Sequence, residues 1–338
     1  MQLPFCIVGF GNVARELVRL VKLKQLEITQ THGVDLRLVG VSTARHGVFM
    51  NRGGLDLDLA LENWEQLRRQ ATSLPDSIAL IRESDADIMV ELTPIDRRTG
   101  RPAIDHIEAA LTAGLHVVTA NKGPIAHDYR RLRDLAKRRQ KAFLFEATVM
   151  DGFPIFNLFR ECMPVTKVAG FRGVLNSTTN LILTKMEEGM SFDDAVRHAQ
   201  DIGIAETDPS NDIDGWDSAV KLSALCNVMM DADVRPQQVE RIGIRDIAIK
   251  TIQEAAARGR KIRLICSAEL RGERVESRVA PEEVGADDPA YRLYGTAGMI
   301  QLHTDTLKTI TLIESPPTPA HTAFGVLADM LSAARGRF

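Results

Sequence analysis

Aromatic residues make up only 5% of this chain, and no block of lysine and arginine is interleaved with them. With a formal net charge of -3, nothing supplies the electrostatic footprint that nucleic acid or an anionic membrane surface would require. Long apolar runs are also missing. The N-terminal MQLPFCIVGFG has no basic leader, and glycines end its apolar stretch, so it reads neither as a signal peptide nor as a membrane span. Cysteine is scarce: Cys6, Cys162, Cys226 and Cys266 lie far apart without a C-x-x-C pair. Each reads as a small buried apolar residue, and a reducing cytoplasm is the expected compartment. The eight histidines show no H-E-x-x-H or comparable ligand spacing, so no catalytic transition metal is expected.

What remains is a chain of 338 residues, 44% hydrophobic and 26% charged, long enough for two domains. Its first half alternates short apolar runs (5–8, 36–41, 88–91, 116–119, 142–145) with amphipathic segments near 12–26, 61–71, 104–113 and 129–139. That rhythm predicts α/β architecture, a parallel sheet with helices on both faces. Beyond Glu146 the order changes to strands at 165–175, 263–269, 274–280 and 309–313, with long helices at 178–186, 192–200 and 217–230. The change of order divides the chain into a first domain over 1–146 and a second, with its own sheet, over 147–320. A C-terminal helix within 321–338 is expected to return to the first domain.

Gly9-Phe10-Gly11-Asn12-Val13-Ala14 is a G-x-G-x-x-A turn between an apolar strand and a helix. Gly9 permits the tight turn, Gly11 admits a pyrophosphate against the backbone, and the helix start offers unpaired N–H groups. The next strand ends in Ser42-Thr43-Ala44-Arg45, without the carboxylate that grips ribose hydroxyls in a strict NAD site. Ser42 and Arg45 leave room for a 2′-phosphate, so the reading leans to NADP over NAD. Lys122, just beyond the strand 116–119, sits at the strand end where open α/β sheets bind ligands.

The stretch GIAETDPSNDIDGWDSAVKL crowds acids ahead of Lys221. As a calcium loop it would begin at Ser210 and place Lys221 where a bidentate glutamate must bind, which excludes it. Asp214 is expected to cap the helix that follows, and Asp208 and Asp212 to serve the loop. Asp217 and Lys221, four apart, share a helix face with Ala224 and Val228. That pair reads either as an exposed ion pair or as a cleft pair able to hold a charged substrate and move a proton.

Four segments, GFGNVA (9–14), HVVTANKGPIA (116–126), FEATVMDGFPI (145–155) and the run from GVLNSTTN to DSAVKL (173–222), together resemble the homoserine dehydrogenases. These enzymes interconvert aspartate 4-semialdehyde and L-homoserine with NAD(P). The resemblance implies that Glu206 and Asp217 hold the substrate and that Lys221 and Lys122 transfer protons. It places Thr178 beside substrate and nicotinamide, and Gly9, Gly11, Asn12, Val13, Ser42, Arg45, Thr93, Asn121 and Lys122 on the dinucleotide. It further implies a monovalent cation, Na⁺ or K⁺, at Glu146, Val149, Asp151 and Phe153, and a homodimer. The fold it implies is α/β, a Rossmann-type dinucleotide-binding domain over 1–146 followed by an α+β substrate and dimerisation domain with a mixed sheet over 147–320.

The chain departs from the family pattern at Met150-Asp151 and Ser177, where glycines are usual, and at Ser315-Pro316-Pro317-Thr318-Pro319. Its length fits a short form without a fused kinase or C-terminal regulatory domain. The expected function is that of a cytoplasmic homoserine dehydrogenase in threonine and methionine biosynthesis, acting on a small molecule and on neither nucleic acid nor membrane. The alternatives are a dehydrogenase for another small hydroxy- or amino acid, or a nucleotide-binding sensor without catalysis.

Overall fold

A computed structural model describes all 338 residues, which form two compact units, 1–158 with 318–338 and 159–317. The first unit therefore runs past the boundary expected at 146. The reason is local: the Glu146 side chain accepts the amide hydrogens of Phe156 and Asn157, tying that stretch back to its own sheet.

The first unit is built on β1 (Gln2–Val8), β2 (Asp35–Thr43), β3 (Gly47–Met50), β4 (Thr72–Leu74), β5 (Ile88–Glu91), β6 (His116–Thr119) and β7 (Phe143–Leu144), in the spatial order β4-β3-β2-β1-β5-β6-β7. The pairs from β2 through β1, β5 and β6 to β7 are parallel. The β3 and β4 strands add antiparallel pairs at one edge, so the sheet is not wholly parallel. They escaped the sequence reading because Val48 and Phe49 are the only buried residues in seven. Buried Phe5, Ile7, Leu38, Val41, Ile88 and Val90 form the core with one face of the helix Asn12–His32. The C-terminal helix Pro319–Ala334 adds Ala323, Val326, Leu327, Met330 and Ala333 to the same core.

The second unit contains β8 (Val168–Val174), β9 (Glu240–Arg241), β10 (Lys261–Arg271), β11 (Arg274–Val284), β12 (Gly298–Thr304) and β13 (Lys308–Glu314), ordered β13-β12-β8-β10-β11-β9. All its pairs are antiparallel except β9 with β11. The first strand begins at Val168 rather than Val165, which lies in the left-handed region (φ 56°) and is exposed. Helix Trp216–Met229 is buried over most of its length.

Of the cysteines, Cys6, Cys226 and Cys266 are buried, and burial pushes their thiols up to about 12. Cys162 is exposed, against expectation. It lies in the short wide-turn helix Leu158–Cys162, which buries none of its residues. No helix is long and apolar enough to cross a membrane.

Candidate functional site

In the first unit the glycine turn is shaped by backbone. Gly9 has φ 94°, and a Cβ there would lie 2.5 Å from the Leu92 carbonyl carbon, so no larger residue fits. Gly11 is the helix N-cap, provides no side-chain cap, and has open space where a Cβ would stand. The first-turn N–H groups, through Asn12 and Val13, therefore remain available to an anion. The Gly9 amide donates to the Ser42 carbonyl at 3.0 Å, tying this turn to the end of β2. Ser42 is buried with its hydroxyl 2.8 Å from that of Ser77, while Arg45 is exposed in the β2–β3 turn.

Thr93 and Asn121 follow the carboxyl ends of β5 and β6 and are stitched together. The Asn121 side chain donates to the Thr93 carbonyl (3.0 Å) and accepts from the Gly123 amide (3.0 Å), capping the helix Lys122–Arg139. That helix starts earlier than the periodicity indicated, because a non-helical Asp128 interrupts it and scrambles the pattern. Lys122, its first residue, is half-buried. Beneath them Glu91, fully buried, accepts hydrogen bonds from the hydroxyls of Thr93 and Thr119. Sequence reasoning did not single out Glu91, although a carboxylate ending an apolar strand is a visible signal.

The loop expected to bind a cation also lies in the first unit. Both Glu146 oxygens accept backbone amides, from Phe156 at 2.9 Å and Asn157 at 2.5 Å. Burial first, and the nearby Asp329 charge second, push the Glu146 carboxyl up to about 7. Asp151 accepts from the Thr322 hydroxyl at 2.7 Å, Val149 is buried and Phe153 is half-buried. No group of three or more His, Cys, Asp or Glu side chains gathers anywhere to hold a metal.

In the second unit, Lys221 and Asp217 form a part-buried pair, Nζ to Oδ2 3.4 Å, with side chains 13% and 18% exposed. The ammonium also donates to the Leu175 carbonyl at 2.7 Å. Next along the chain, Asn176 caps the helix Ser177–Glu187 by accepting from the Thr179 amide at 2.8 Å. Its oxygen is thereby fixed inward, so its amide nitrogen must face the acids, donating to Asp212 at 2.7 Å and Asp217 at 3.0 Å. Burial first, then the Asp217 charge, raise the Asp212 carboxyl above its usual range.

Asp212 thus belongs to the Asp217–Lys221 cluster and is not the loop residue expected of it. Only the fold could reveal this, because its partner Asn176 is 36 positions away. Asp214 does not cap the following helix either. Gly215 occupies the N-cap, at φ 77°, and Asp214 pairs with Arg245 through both oxygens (2.8 and 3.0 Å). Thr178 is buried with its hydroxyl 3.4 Å from the Ile204 carbonyl, and Glu206 is exposed, its backbone carbonyl held by Gln200.

Comparison with known proteins agrees across nearly the whole chain. The family profile "Homoserine dehydrogenase, NAD binding domain" matches residues 9–146, and "Homoserine dehydrogenase" matches 154–331. A homoserine dehydrogenase of Methanocaldococcus jannaschii is 35% identical over 96% of each chain. An NAD(+)-dependent homoserine dehydrogenase of Pseudomonas canavaninivorans is 32% identical over 98% of this chain and 96% of its own. A hyperthermophilic archaeal homoserine dehydrogenase solved in complex with NADPH superposes with a TM-score of 0.83 at 30% identity, over 99% of this chain and 98% of that one.

Proposed function

The chain belongs to the homoserine dehydrogenase family, NAD(P)-dependent oxidoreductases acting on a CH–OH group, and from that premise we propose how its residues divide the work. The reaction interconverts aspartate 4-semialdehyde and L-homoserine in aspartate-family amino-acid biosynthesis.

The residues at the glycine turn fit a dinucleotide, because the Gly9 cradle excludes a Cβ and the helix start after Gly11 is left uncapped. Gly9, Gly11, Asn12 and Val13 would hold its pyrophosphate, Ser42 and Arg45 the ribose end, and Thr93, Asn121 and Lys122 its nicotinamide half. Nicotinamide, when bound, supplies or accepts the hydride. Arg45 and the missing carboxylate at the end of β2 favour NADP. One relative is named for NAD(+) and one solved neighbour holds NADPH, so direct comparison of the two cofactors is the test.

The other half of the chemistry is proton management. As the aldehyde is reduced, negative charge grows on its oxygen, and the Lys221 ammonium is the donor to it. Asp217 pairs with that ammonium and the Leu175 carbonyl anchors it. Lys122 shares in proton transfer. Glu206, Asp217 and the added Asp212 hold the substrate ammonium, and Thr178 lines the pocket. The observation that carries this reading is the set of buried Asn176 with half-buried Asp212, Asp217 and Lys221, whose acids share one amide donor. The test is NADPH oxidation with aspartate semialdehyde by the native protein and by Lys221→Ala. An unchanged kcat in the variant sinks the Lys221 role, and no turnover by the native chain sinks the reading.

Three further properties complete the proposal. A monovalent cation beside Glu146, Val149, Asp151 and Phe153 would relieve the repulsion between buried Glu146 and Asp329. Homodimerisation would cover the face of the second sheet, where a hollow of about 830 Å³ is lined by Phe171, Ser267, Val275 and His303. That hollow contains none of the acid–lysine cluster. A cytoplasmic location accords with four unpaired thiols.

A further inference from the structure

His46 stands at the tip of the β2–β3 turn, one residue beyond Arg45, and is exposed. The residue is held at three points, two in its backbone and one at its ring. Its amide donates to the Thr43 hydroxyl at 2.7 Å, and its carbonyl accepts from Arg68 at 3.0 Å. Its ring lies flat on the Trp64 indole, centroids 4.8 Å apart and planes 6° from parallel. Trp64 in turn receives Phe10, the middle residue of the glycine turn, edge-on at 5.0 Å and 90°. Neither imidazole nitrogen has a hydrogen-bond partner. A planar ring with a free outer face is therefore fixed beside the glycine turn and beside Arg45, where the sheet directs the adenosine end of a dinucleotide.

We infer that the outer face of His46, backed by Trp64 and Phe10, is the stacking wall for the adenine base of the cofactor. This rests on the dinucleotide reading above and adds residues that the glycine motif does not contain. Adenine stacks because every base offers a π face, and a prestacked imidazole loses little freedom in accepting it. The division of labour follows from chemistry: His46 serves the base, common to both cofactors, whereas Arg45 serves the 2′-phosphate found in one.

Equilibrium binding without substrate tests this. The chain has two tryptophans, so a Trp216→Phe background leaves Trp64 as the sole indole reporter. NADPH and NADH are titrated in turn, by Trp64 emission and by calorimetry. The expected result is that both ligands change Trp64 emission, and that His46→Ala raises Kd for both by the same factor, about 5- to 100-fold. His46→Phe, which keeps a flat face, should restore Kd to near the native value. Arg45→Ala should weaken NADPH alone. Calorimetric binding in which His46→Ala leaves Kd unchanged, or tightens it, would show that the imidazole merely covers Trp64 and would overturn the inference. That failure is separable from failure of the catalytic reading: a chain that oxidises NADPH with aspartate semialdehyde, indifferent to His46, keeps its function and loses the wall. One that binds NADPH through His46 without turnover keeps the wall and loses the function.

Discussion

The glycine-turn end of the first unit and the acid–lysine cluster of the second are built on opposite principles. At the first, the shape is set by main chain: Gly9 at φ 94°, an uncapped helix start, and carbonyls and amides closing the turn onto β2 and Leu92. At the second, side chains do the work, with one amide of Asn176 serving two carboxylates and Lys221 closing the set. A backbone site fails by steric exclusion, all or none, and failure there is felt in folding as well as in binding. A side-chain site fails by degrees and by charge state, and if the proposed roles hold its failure is expected in catalysis.

The largest expected effect falls on the side-chain end. Lys221→Ala should lower kcat by about 10²–10⁴-fold, the usual worth of positioned proton transfer, with the melting temperature little changed. A large loss of stability in that variant would erase the contrast. Gly9→Ala is the opposite case. It combines a left-handed backbone with a contact that cannot relax, so destabilisation of about 2–4 kcal/mol is expected in denaturant unfolding, with cofactor binding lost alongside. Next comes Asn176→Ala, which strips a shared donor from two acids at about 1–3 kcal/mol. It should move the pH profile of kcat/KM toward higher pH, because Asp212 and Asp217 would repel with nothing between them. A profile unmoved would assign Asn176 to helix capping alone.

The smallest effects concern pH and the stability of the first unit. Burial first, and Lys141 second, hold His116 down at about 4, below its ordinary 6.5. The folded state thus prefers the neutral ring, so its contribution is complete above pH 6.5 and lost as pH falls through about 4. Glu146 runs the other way. Its carboxyl is raised from 4.5 to about 7, so its contribution is present below 4.5 and lost as pH rises through about 7. Thermal unfolding between pH 4 and 8 should show both limbs. His116→Asn should flatten the acid one, and K⁺ or Na⁺, against choline at equal ionic strength, should flatten the other if a cation sits beside Glu146.

Much of this was legible in advance where a signal is local. The alternation of apolar runs and amphipathic segments indicated the parallel part of the first sheet, and the glycine turn carried its own strand and helix. The edge strands β3 and β4 were not legible, being short and mostly unburied. The strand β12 was also missed, although it lies between β13 and β8 with Met299, Ile300 and Leu302 buried. The same limit applies to polar residues. Asp217 and Lys221 declare themselves by a spacing of four, whereas Asp212 looks like any turn acid.

The sequence by itself therefore determined what depends on neighbours in the chain: the glycine turn, the i,i+4 pair and the order of most elements. It also carried the family, through motifs spread along its length. Only the tertiary structure decided which polar groups share a partner. Asn176 met Asp212, Arg245 took Asp214 away from the helix it was expected to cap, and His46 settled on Trp64. The physical reason is that a buried or half-buried polar group must find a partner, and the partner is whichever donor or acceptor the fold brings near, at whatever distance along the chain.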